Sequence, residues 1–194
     1  MNMYEKISPS LLPCARIKLD IGEYFVIPLL ISLVKEVDRK FVDNLIKSLN
    51  ELSKSLEDTY ILLLNDRIVY SQEHVIYSIN VGLRCAHRGP QFARKPELNI
   101  ICVLTVSSQI DDALEKLFYY PIRNILAIVI SRDLNTAINL LRQIVNQLQE
   151  IIVDICICYK CTRDIPDIRM LCEYANDIAD LFQCVSEIVL DRIR

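Results

Sequence analysis

The chain has 194 residues, of which 52% are hydrophobic, and a formal net charge of −3 at pH 7. This composition excludes an intrinsically disordered chain, because it supplies ample apolar material for a core. The slightly acidic balance argues against a surface coated in positive charge, so any contact with nucleic acid must be a local patch. The length predicts a single domain over residues 1–194.

The beginning of the chain predicts neither a targeting signal nor a membrane span. The apolar run from Val26 to Val34 is far shorter than the roughly 20 residues that a membrane helix needs. The first residues, MNMYEKISPS, lack a charged region followed by an apolar one. We therefore expect a cytoplasmic protein without membrane contact. Its eight cysteines are unusual in a reducing cytosol and, with abundant isoleucine and no tryptophan, fit a hyperthermophilic source.

The first third of the chain predicts two strands, a helix and a third strand. Two extended segments, Ala15 to Ile21 and Glu23 to Ser32, are separated by Gly22. Apolar residues then recur at helical spacing from Asp38 to Leu56. The continuous apolar run from Tyr60 to Leu64 is followed by an Asn-Asp pair, which is typical of a buried strand and a turn.

A second helix is predicted between a serine and a glycine-proline pair. Ser71 is a suitable N-cap residue, and Gly89-Pro90 would end the helix. One apolar stripe, which would be the buried face, contains Val75, Ile76, Ile79, Leu83 and Ala86.

The middle of the chain predicts a parallel βαβ unit. The unbroken apolar run from Leu98 to Thr105 indicates a central strand that is covered on both faces. Ser108 and Asp111 would form the capping box of the next helix. The segment from Asn124 to Ile130 is the second strand, and the connection between the two strands should be right-handed.

The last third predicts mainly helices. A long helix from Leu134 to Leu148 is followed by a strand, IIVDICIC, which is rich in β-branched residues. Two further helices run from about Asp164 to Tyr174 and from Asn176 to Arg192. The whole pattern predicts an α/β fold, a single domain with a mixed sheet flanked by helices and a helical C-terminus.

Any chemistry must come from side chains, because three glycines cannot supply a glycine-rich phosphate-binding loop. His74 could act as a general base, since imidazole ordinarily titrates near pH 6.5. Its position in the first helical turn, beside the apolar stripe and with Glu73 as the nearby acid, favours capping or core packing over chemistry. His87 lies among arginines, where phosphate contact and plain solvation are equally good interpretations.

Three cysteines, Cys156, Cys158 and Cys161, occur close together in CICYKC. A structural zinc normally uses two such groups, and Cys172 and Cys184 sit at helix-interior spacings instead. On a strand, Cys156 and Cys158 would lie about 6.6 Å apart along the chain, too far for a direct disulfide. We therefore expect packed thiols or disulfides to distant partners, no metal and no cofactor.

Positive charge accumulates without compensation in one segment, since no acidic residue occurs between Glu73 and Glu97. On a helix, two of its arginines would share with Tyr77 the face opposite the apolar stripe. This basic surface is either a solvated face or a binding site for phosphate, and Tyr77 or Phe92 could stack on an unpaired base. The residues of the basic surface are Arg84, His87, Arg88, Arg94 and Lys95.

Three stretches carry a resemblance to a known family, VYSQEHVIYSINVGLRCAHRG, LNIICVLTVSSQIDDALEKL and CVSEIVLDRIR. Together they resemble the small regulatory subunit of the KEOPS/EKC complex, the PRPK-kinase-binding (TPRKB-like) family, in its archaeal form. The chain departs from the family at three positions. Val106 and Ser108 stand where the family usually has a glycine and an arginine, and Asn99 stands where it usually has an acidic residue. The matching positions are Glu73, His74, Ser107, Gln109, Ile110, Ala113 and the tail from Ile188 to Ile193.

The resemblance implies an α/β protein that has no catalytic activity of its own. Such subunits bind the small atypical kinase/ATPase subunit of KEOPS, a complex that makes threonylcarbamoyl-adenosine in tRNA, and reach the other subunits only indirectly. In archaea they also bind the single-stranded 3′ acceptor end of tRNA. In this chain the basic surface and Tyr77 are the candidate residues for that contact.

An apolar stripe that continues to the end of the chain is the candidate for kinase docking. A terminal helix usually frays unless it is tied down, so this stripe needs a cover. The protein's own core can cover Leu181 and Phe182, and the resemblance implies that the kinase covers Ile188, Val189 and Ile193. The alternative hypothesis is a small metal- or thiol-dependent cytoplasmic enzyme that uses His74 or the cluster Cys156, Cys158 and Cys161.

Overall fold

The computed structural model describes residues 15–19, 22–53, 56–118, 121–156 and 171–193. The chain forms two compact units, each assembled from two separate stretches. The first unit lies within Met1–Asp66 and Pro121–Cys161, and the second within Arg67–Tyr120 and Thr162–Arg194. The single domain expected from the length stays a prediction.

The chain contains both strands and helices, with helices packed on a sheet, which confirms the predicted α/β fold class. The described strands are β1 (Ala15–Leu19), β2 (Gly22–Val37), β3 (Thr59–Asn65), β4 (Ile122–Ser131) and β5 (Ile152–Cys156). The described helices are α1 (Arg39–Ser53), α2 (Gln72–Arg88), α3 (Pro96–Leu104), α4 (Ile110–Leu117), α5 (Leu134–Leu148) and α6 (Ile178–Ile193).

The first unit is built on a sheet in the order β1-β2-β4-β3, with β5 also paired to β2. Each described pairing is antiparallel, where the sequence predicts a mixed sheet. Strand β4 forms the centre of the core, because its residues from Ile125 to Ser131 are all buried. Helix α1 packs against β3, and helix α5 packs against β4 and β2.

The described part of the second unit is helical. Helix α2 crosses α3 so closely that a Cβ atom added to Gly82 would lie 2.5 Å from the Cα atom of Ile100. Only glycine allows this approach. A buried cluster joins the start of α6 to the segment before it, and it consists of Leu171, Cys172, Ala175, Leu181 and Cys184, with Tyr70 and Val106 packed against it.

The segment from Leu98 to Thr105, predicted as a central strand, is helical, so the prediction of a parallel βαβ unit is wrong. Pro96 begins helix α3, as proline often does at a first helical position. All residues from Asn99 to Leu104 are buried. Burial on every side removes the helical period from the sequence, and a short apolar run cannot then be told from a strand.

Two further predictions concern helix ends. Helix α4 begins after Gln109, whose side chain makes no capping hydrogen bond, so the capping box predicted for Ser108 and Asp111 is wrong. The helix predicted from Asp164 to Tyr174 lies mostly outside the described residues, and its described end, residues 171–174, is not helical. None of the helices in the described ranges has both the length and the apolar character to cross a membrane.

Candidate functional site

Helix α2 carries the first half of the basic surface, and its start is defined as the sequence predicts. The Oγ atom of Ser71 accepts a hydrogen bond from the backbone N–H of His74 at 3.1 Å, which confirms the N-cap. The predicted apolar stripe faces the core, with Val75, Ile79 and Leu83 buried. The stripe therefore fixes which side of the helix can reach a ligand.

The end of α2 is closed by residues that follow it. The backbone N–H of Gly89 donates to the carbonyl of Arg84 at 3.1 Å, and the side-chain amide of Gln91 donates to the carbonyl of Ala86 at 2.7 Å. These bonds satisfy carbonyl groups that a helix end otherwise leaves without partners. The chain therefore leaves the helix directly after Arg88.

The basic surface lies at the outside of the second unit. Arg84 and Arg88 are exposed on successive turns of α2, and His87 is exposed beside them. His87 and Arg88 occupy the last turn, where the partial negative charge of a helix end favours cations. Arg94 and Lys95 are exposed in the loop that follows. All these cations are thus placed where a phosphate could reach them.

A buried amide, Asn99, holds the loop that carries Arg94 and Lys95. Its Oδ1 atom accepts from the backbone N–H groups of Phe92 at 2.8 Å and Ala93 at 3.3 Å. Its Nδ2 atom donates to the carbonyls of Ala93 at 2.6 Å and Lys95 at 2.9 Å. A carboxylate could accept the first two bonds but could not donate the other two. Sequence reasoning noted Asn99 only as a departure from the family, although a polar residue inside an apolar run was a usable signal.

The two aromatic candidates for base stacking take part in packing within the second unit. The ring of Tyr77 is half-buried and stacks on the ring of Phe182, with 4.2 Å between centroids. Phe92 is only 6% exposed, and the guanidinium of Arg192 lies 5.5 Å from its centroid. The burial of Phe92 contradicts its suggested role, and stacking on Tyr77 would have to use the ring face that Phe182 does not cover.

His74, the candidate general base, is a core residue. It is 0% exposed, and neither ring nitrogen has a hydrogen-bond partner within the described part of the chain. Burial lowers the pKa of His74 to about 4, against a smaller opposing effect of the nearby Leu104 backbone. A general base must come within hydrogen-bond reach of a substrate proton. A neutral ring closed off from solvent therefore supports the packing interpretation.

A disulfide joins Cys172 and Cys184, which are separated by 12 positions in the sequence. The sequence interpretation missed this pair because it placed Cys172 inside a helix. Cys172 instead lies in the non-helical segment before α6, so the chain can fold back and bring the two sulfur atoms together. The bond ties that segment to the second turn of α6.

The other described cysteines, Cys85, Cys102 and Cys156, are free thiols. Cys85 and Cys102 are buried, and burial raises the pKa of the Cys102 thiol to about 11. Cys156 is half-buried at the end of β5, and Cys158 and Cys161 lie outside the described residues. Within the described ranges, no group of three or more His, Cys, Asp or Glu side chains could hold a metal ion.

Helix α6 carries the residues predicted to dock the kinase. Leu181 is 0% exposed, so the protein's own core covers it as expected, whereas Phe182 is half-buried and stacks on Tyr77. Val185, one turn further on, is also 0% exposed. Ile188 and Val189 are half-buried, and Leu190 is 52% exposed. Ile193 ends the helix, and its side chain lies outside the described residues. The apolar stripe thus reaches solvent near the end of α6.

A groove runs beside the exposed part of α6. Its apolar lining consists of Val106, Leu171, Cys172, Cys184 and Ile188. Its polar lining consists of Glu173, Tyr174, Glu187 and Asp191. The first set is buried or half-buried and the second set is exposed, so the groove has an apolar floor and an acidic rim. We refer to it as the acidic groove.

The backbone under the acidic groove is unusual at Val106, where φ is +50°. A left-handed backbone is uncommon for any residue except glycine and especially so for a β-branched one. The Nζ atom of Lys116 donates to the carbonyls of Thr105 at 3.0 Å and Leu171 at 3.1 Å, which links the turn at Val106 to the segment before α6.

Comparison with known proteins adds no identification. No protein-family model matches the chain. No curated protein matches its sequence either.

Proposed function

We propose that this protein is a non-catalytic subunit of the KEOPS complex that binds the single-stranded 3′ acceptor end of tRNA through its basic surface. In this proposal helix α6 binds and regulates the small atypical kinase/ATPase subunit. The observation that carries the proposal is an exposed group of cations, Arg84, Arg88, Arg94 and Lys95, on a chain whose formal net charge is −3.

The arrangement of the two helical arginines suits a phosphate backbone. Arg84 and Arg88 are four residues apart, which is about 6 Å along a helix axis. Each guanidinium offers a fork of N–H donors that can bind a phosphate through two bonds. Two phosphates of one strand can therefore be bound at the same time, with Arg94 and Lys95 extending the binding surface beyond the helix.

The kinase contact in this proposal uses the exposed end of α6. Ile188 and Val189 are half-buried and Leu190 is exposed, so this turn offers an apolar surface that a partner can cover. Apolar residues at the centre of a protein interface often contribute about 1–2 kcal/mol or more each to binding. The resemblance of the tail to the family supplies the identity of the partner.

The tRNA part is tested with a variant in which Arg84, Arg88, Arg94 and Lys95 are all changed to Glu. Binding to a fluorescent tRNA 3′ acceptor strand is measured at several salt concentrations. We expect weak binding by the variant, and a salt slope reduced by about 0.7 for each phosphate that the variant no longer binds. Thermal unfolding checks that the variant is folded.

A matched control changes four exposed cations of the first unit, Lys35, Lys40, Lys47 and Arg123, to Glu. This variant has the same formal charge as the first one, so it separates a local site from the effect of net charge. If both variants lose affinity equally, or if the first binds as tightly as wild type at equal salt, the basic surface is an ordinary solvated face.

The alternative hypothesis, a small metal- or thiol-dependent enzyme, has less support. His74 is enclosed and its pKa is lowered to about 4, which makes it a poor base near neutral pH. Turnover with purified protein and metal analysis without chelator would test this alternative. One metal atom per chain would favour it.

A further inference from the structure

The acidic groove beside α6 differs from the basic surface in the sign of its charge. Glu173, Glu187 and Asp191 are exposed along its rim, and its described lining contains neither Lys nor Arg. The ammonium group of Lys116, behind the lining, interacts electrostatically with Glu173. An adjoining depression shares Tyr174, Cys184 and Glu187 with the groove and adds the acidic residue Asp180 and Gln183. The acidic character therefore continues along α6 for about three turns.

The floor of the groove is apolar and held in place. Leu171, Cys172 and Cys184 are buried, and the disulfide between the two cysteines links one wall to helix α6. Lys116 holds the carbonyl of Leu171 from the other side, at 3.1 Å. A site whose walls are fixed before binding loses little conformational entropy when a ligand enters.

The ligand class follows from charge and shape. A phosphate backbone would be repelled by the rim, because like charges brought together at an interface cost several kcal/mol. A purely polar cation would leave the apolar floor in contact with water. The exposed ring of Tyr174, which is 70% exposed, offers an apolar face and an aromatic surface for a cation at the rim. The best fit is a polypeptide segment with Lys or Arg side chains on both sides of an apolar side chain.

We propose that the acidic groove binds such a basic and apolar segment of a partner protein. The apolar side chain covers Val106 and Ile188, and the cations contact Glu187 and Asp191 on one wall and Glu173 on the other. This inference rests on the proposed function for the identity of the partner, which is the kinase subunit. It adds the chemistry by which the partner is recognised.

The test reverses the rim charge with the double variant Glu187→Lys, Asp191→Lys. Both side chains are exposed and lie one helical turn apart, so the change leaves the core untouched. The matched control is Asp111→Lys, Glu115→Lys, which reverses two exposed acids at the same spacing on α4. Binding is measured to the purified kinase subunit, to the tRNA 3′ acceptor strand, and to fluorescent model peptides of equal length.

The peptides are a basic one with apolar residues, an acidic one with the same apolar residues, and a basic one without apolar residues. Wild type should bind the first most tightly. The rim variant should bind the kinase and the first peptide at least about 30-fold more weakly, since attraction becomes repulsion. The control and wild type should behave alike, and tRNA binding should not weaken in the rim variant.

The outcomes separate this inference from the proposed function. If the rim variant binds both the kinase and the basic apolar peptide with unchanged affinity, the inference is wrong while the kinase partner stands. If wild type binds the peptide but not the kinase, the groove chemistry stands and the proposed partner fails. Preference for the acidic peptide, or a concentration-dependent dimer abolished by the rim variant, would overturn the inference in favour of another occupant.

Discussion

Helices α2 and α6 belong to the same unit but present opposite surfaces to solvent. The outer side of α2 carries Arg84 and Arg88, and the outer side of α6 carries Glu187 and Asp191. Each pair has four-residue spacing, so the two pairs have the same spacing along their helices and opposite sign. A protein that must bind a polyanion and a protein partner gains from this separation, because each surface repels the other's ligand.

The two surfaces also differ in how they are held. The basic surface continues into a loop that is fixed by hydrogen bonds from the amide of Asn99. The acidic groove is fixed by a disulfide and by the two hydrogen bonds of Lys116. A substitution at one of these supporting residues should therefore displace one surface while leaving its charged residues in place. Such variants separate the effect of the position of the charges from the effect of the charges themselves.

The largest effect on stability is expected for Asn99→Asp, which removes hydrogen bonds that hold the loop of the basic surface. The variant loses two donors to buried carbonyls and places a carboxylate against them, so we expect a loss of about 3–5 kcal/mol in the free energy of unfolding. Urea unfolding measures this loss. The exposed Gln143→Glu provides the same chemical change as a control and should alter stability by less than about 0.5 kcal/mol.

The same variant should affect binding at the two surfaces to different extents. In protein that remains folded, Asn99→Asp should weaken binding of the tRNA strand, because the loop with Arg94 and Lys95 loses its position. Binding of the basic apolar peptide to the groove should change less. An equal loss of tRNA binding and of peptide binding would show that Asn99 supports the whole second unit and not the basic surface in particular.

An intermediate effect on stability is expected from His74, a buried residue near the start of α2. Its pKa in the folded protein is lowered to about 4, so between pH 6.5 and about 4 the unfolded chain binds a proton that the folded protein does not. Stability should therefore be highest above pH 6.5 and fall as the pH decreases, by up to about 3 kcal/mol from this residue. Below about pH 4 this contribution should level off.

The measurement compares the free energy of unfolding of wild type and His74→Leu from pH 4 to pH 8. The variant should lack this part of the pH dependence, and at neutral pH it should be at least as stable, because two unsatisfied nitrogens are removed. If both proteins show the same pH profile, His74 is protonated in the folded state or reaches solvent.

The smallest effect is expected for Val106→Gly, in the floor of the acidic groove. Glycine relieves the left-handed backbone but loses a half-buried side chain and makes the unfolded chain more flexible. The relief is worth about 1–2 kcal/mol, and the two losses offset most of it, so we expect a net gain of less than about 1 kcal/mol in the free energy of unfolding, measured by urea titration. A loss of stability would mean that the packing of Val106 outweighs its strain.

Asp58→Gly is the matched comparison, since Asp58 has φ +49° in the first unit. Its carboxylate pairs with the guanidinium of Arg132 at 3.0 Å and accepts a hydrogen bond from Tyr60 at 3.3 Å. Glycine relieves the strain there but removes both of these interactions. The gain should therefore be smaller than at Val106, or absent.

The amino-acid pattern was sufficient wherever one face of an element is buried and the other is wet. Helix α2, with its N-cap at Ser71 and its stripe of Val75, Ile79 and Leu83, follows from local periodicity and local capping. Strand β4 is an exception, since its residues from Ile125 to Ser131 are all buried and its prediction used a continuous apolar run. The exposure of Arg84 and Arg88 follows from the same stripe, because a helix with one buried side must turn the other side outward. These features depend on neighbours within a few residues.

Only the tertiary structure decided the features that depend on distant neighbours. Helix α3 is buried at every residue from Asn99 to Leu104, which leaves no helical period to read in its sequence. The pairing of Cys172 with Cys184, the enclosure of His74 and the burial of Phe92 depend on where α6 and α3 pack. The acidic groove has the same origin, since Val106, Leu171 and Ile188 lie far apart in sequence and only folding places them along one floor. Local periodicity records which side of an element is buried, and it contains no information on what buries it.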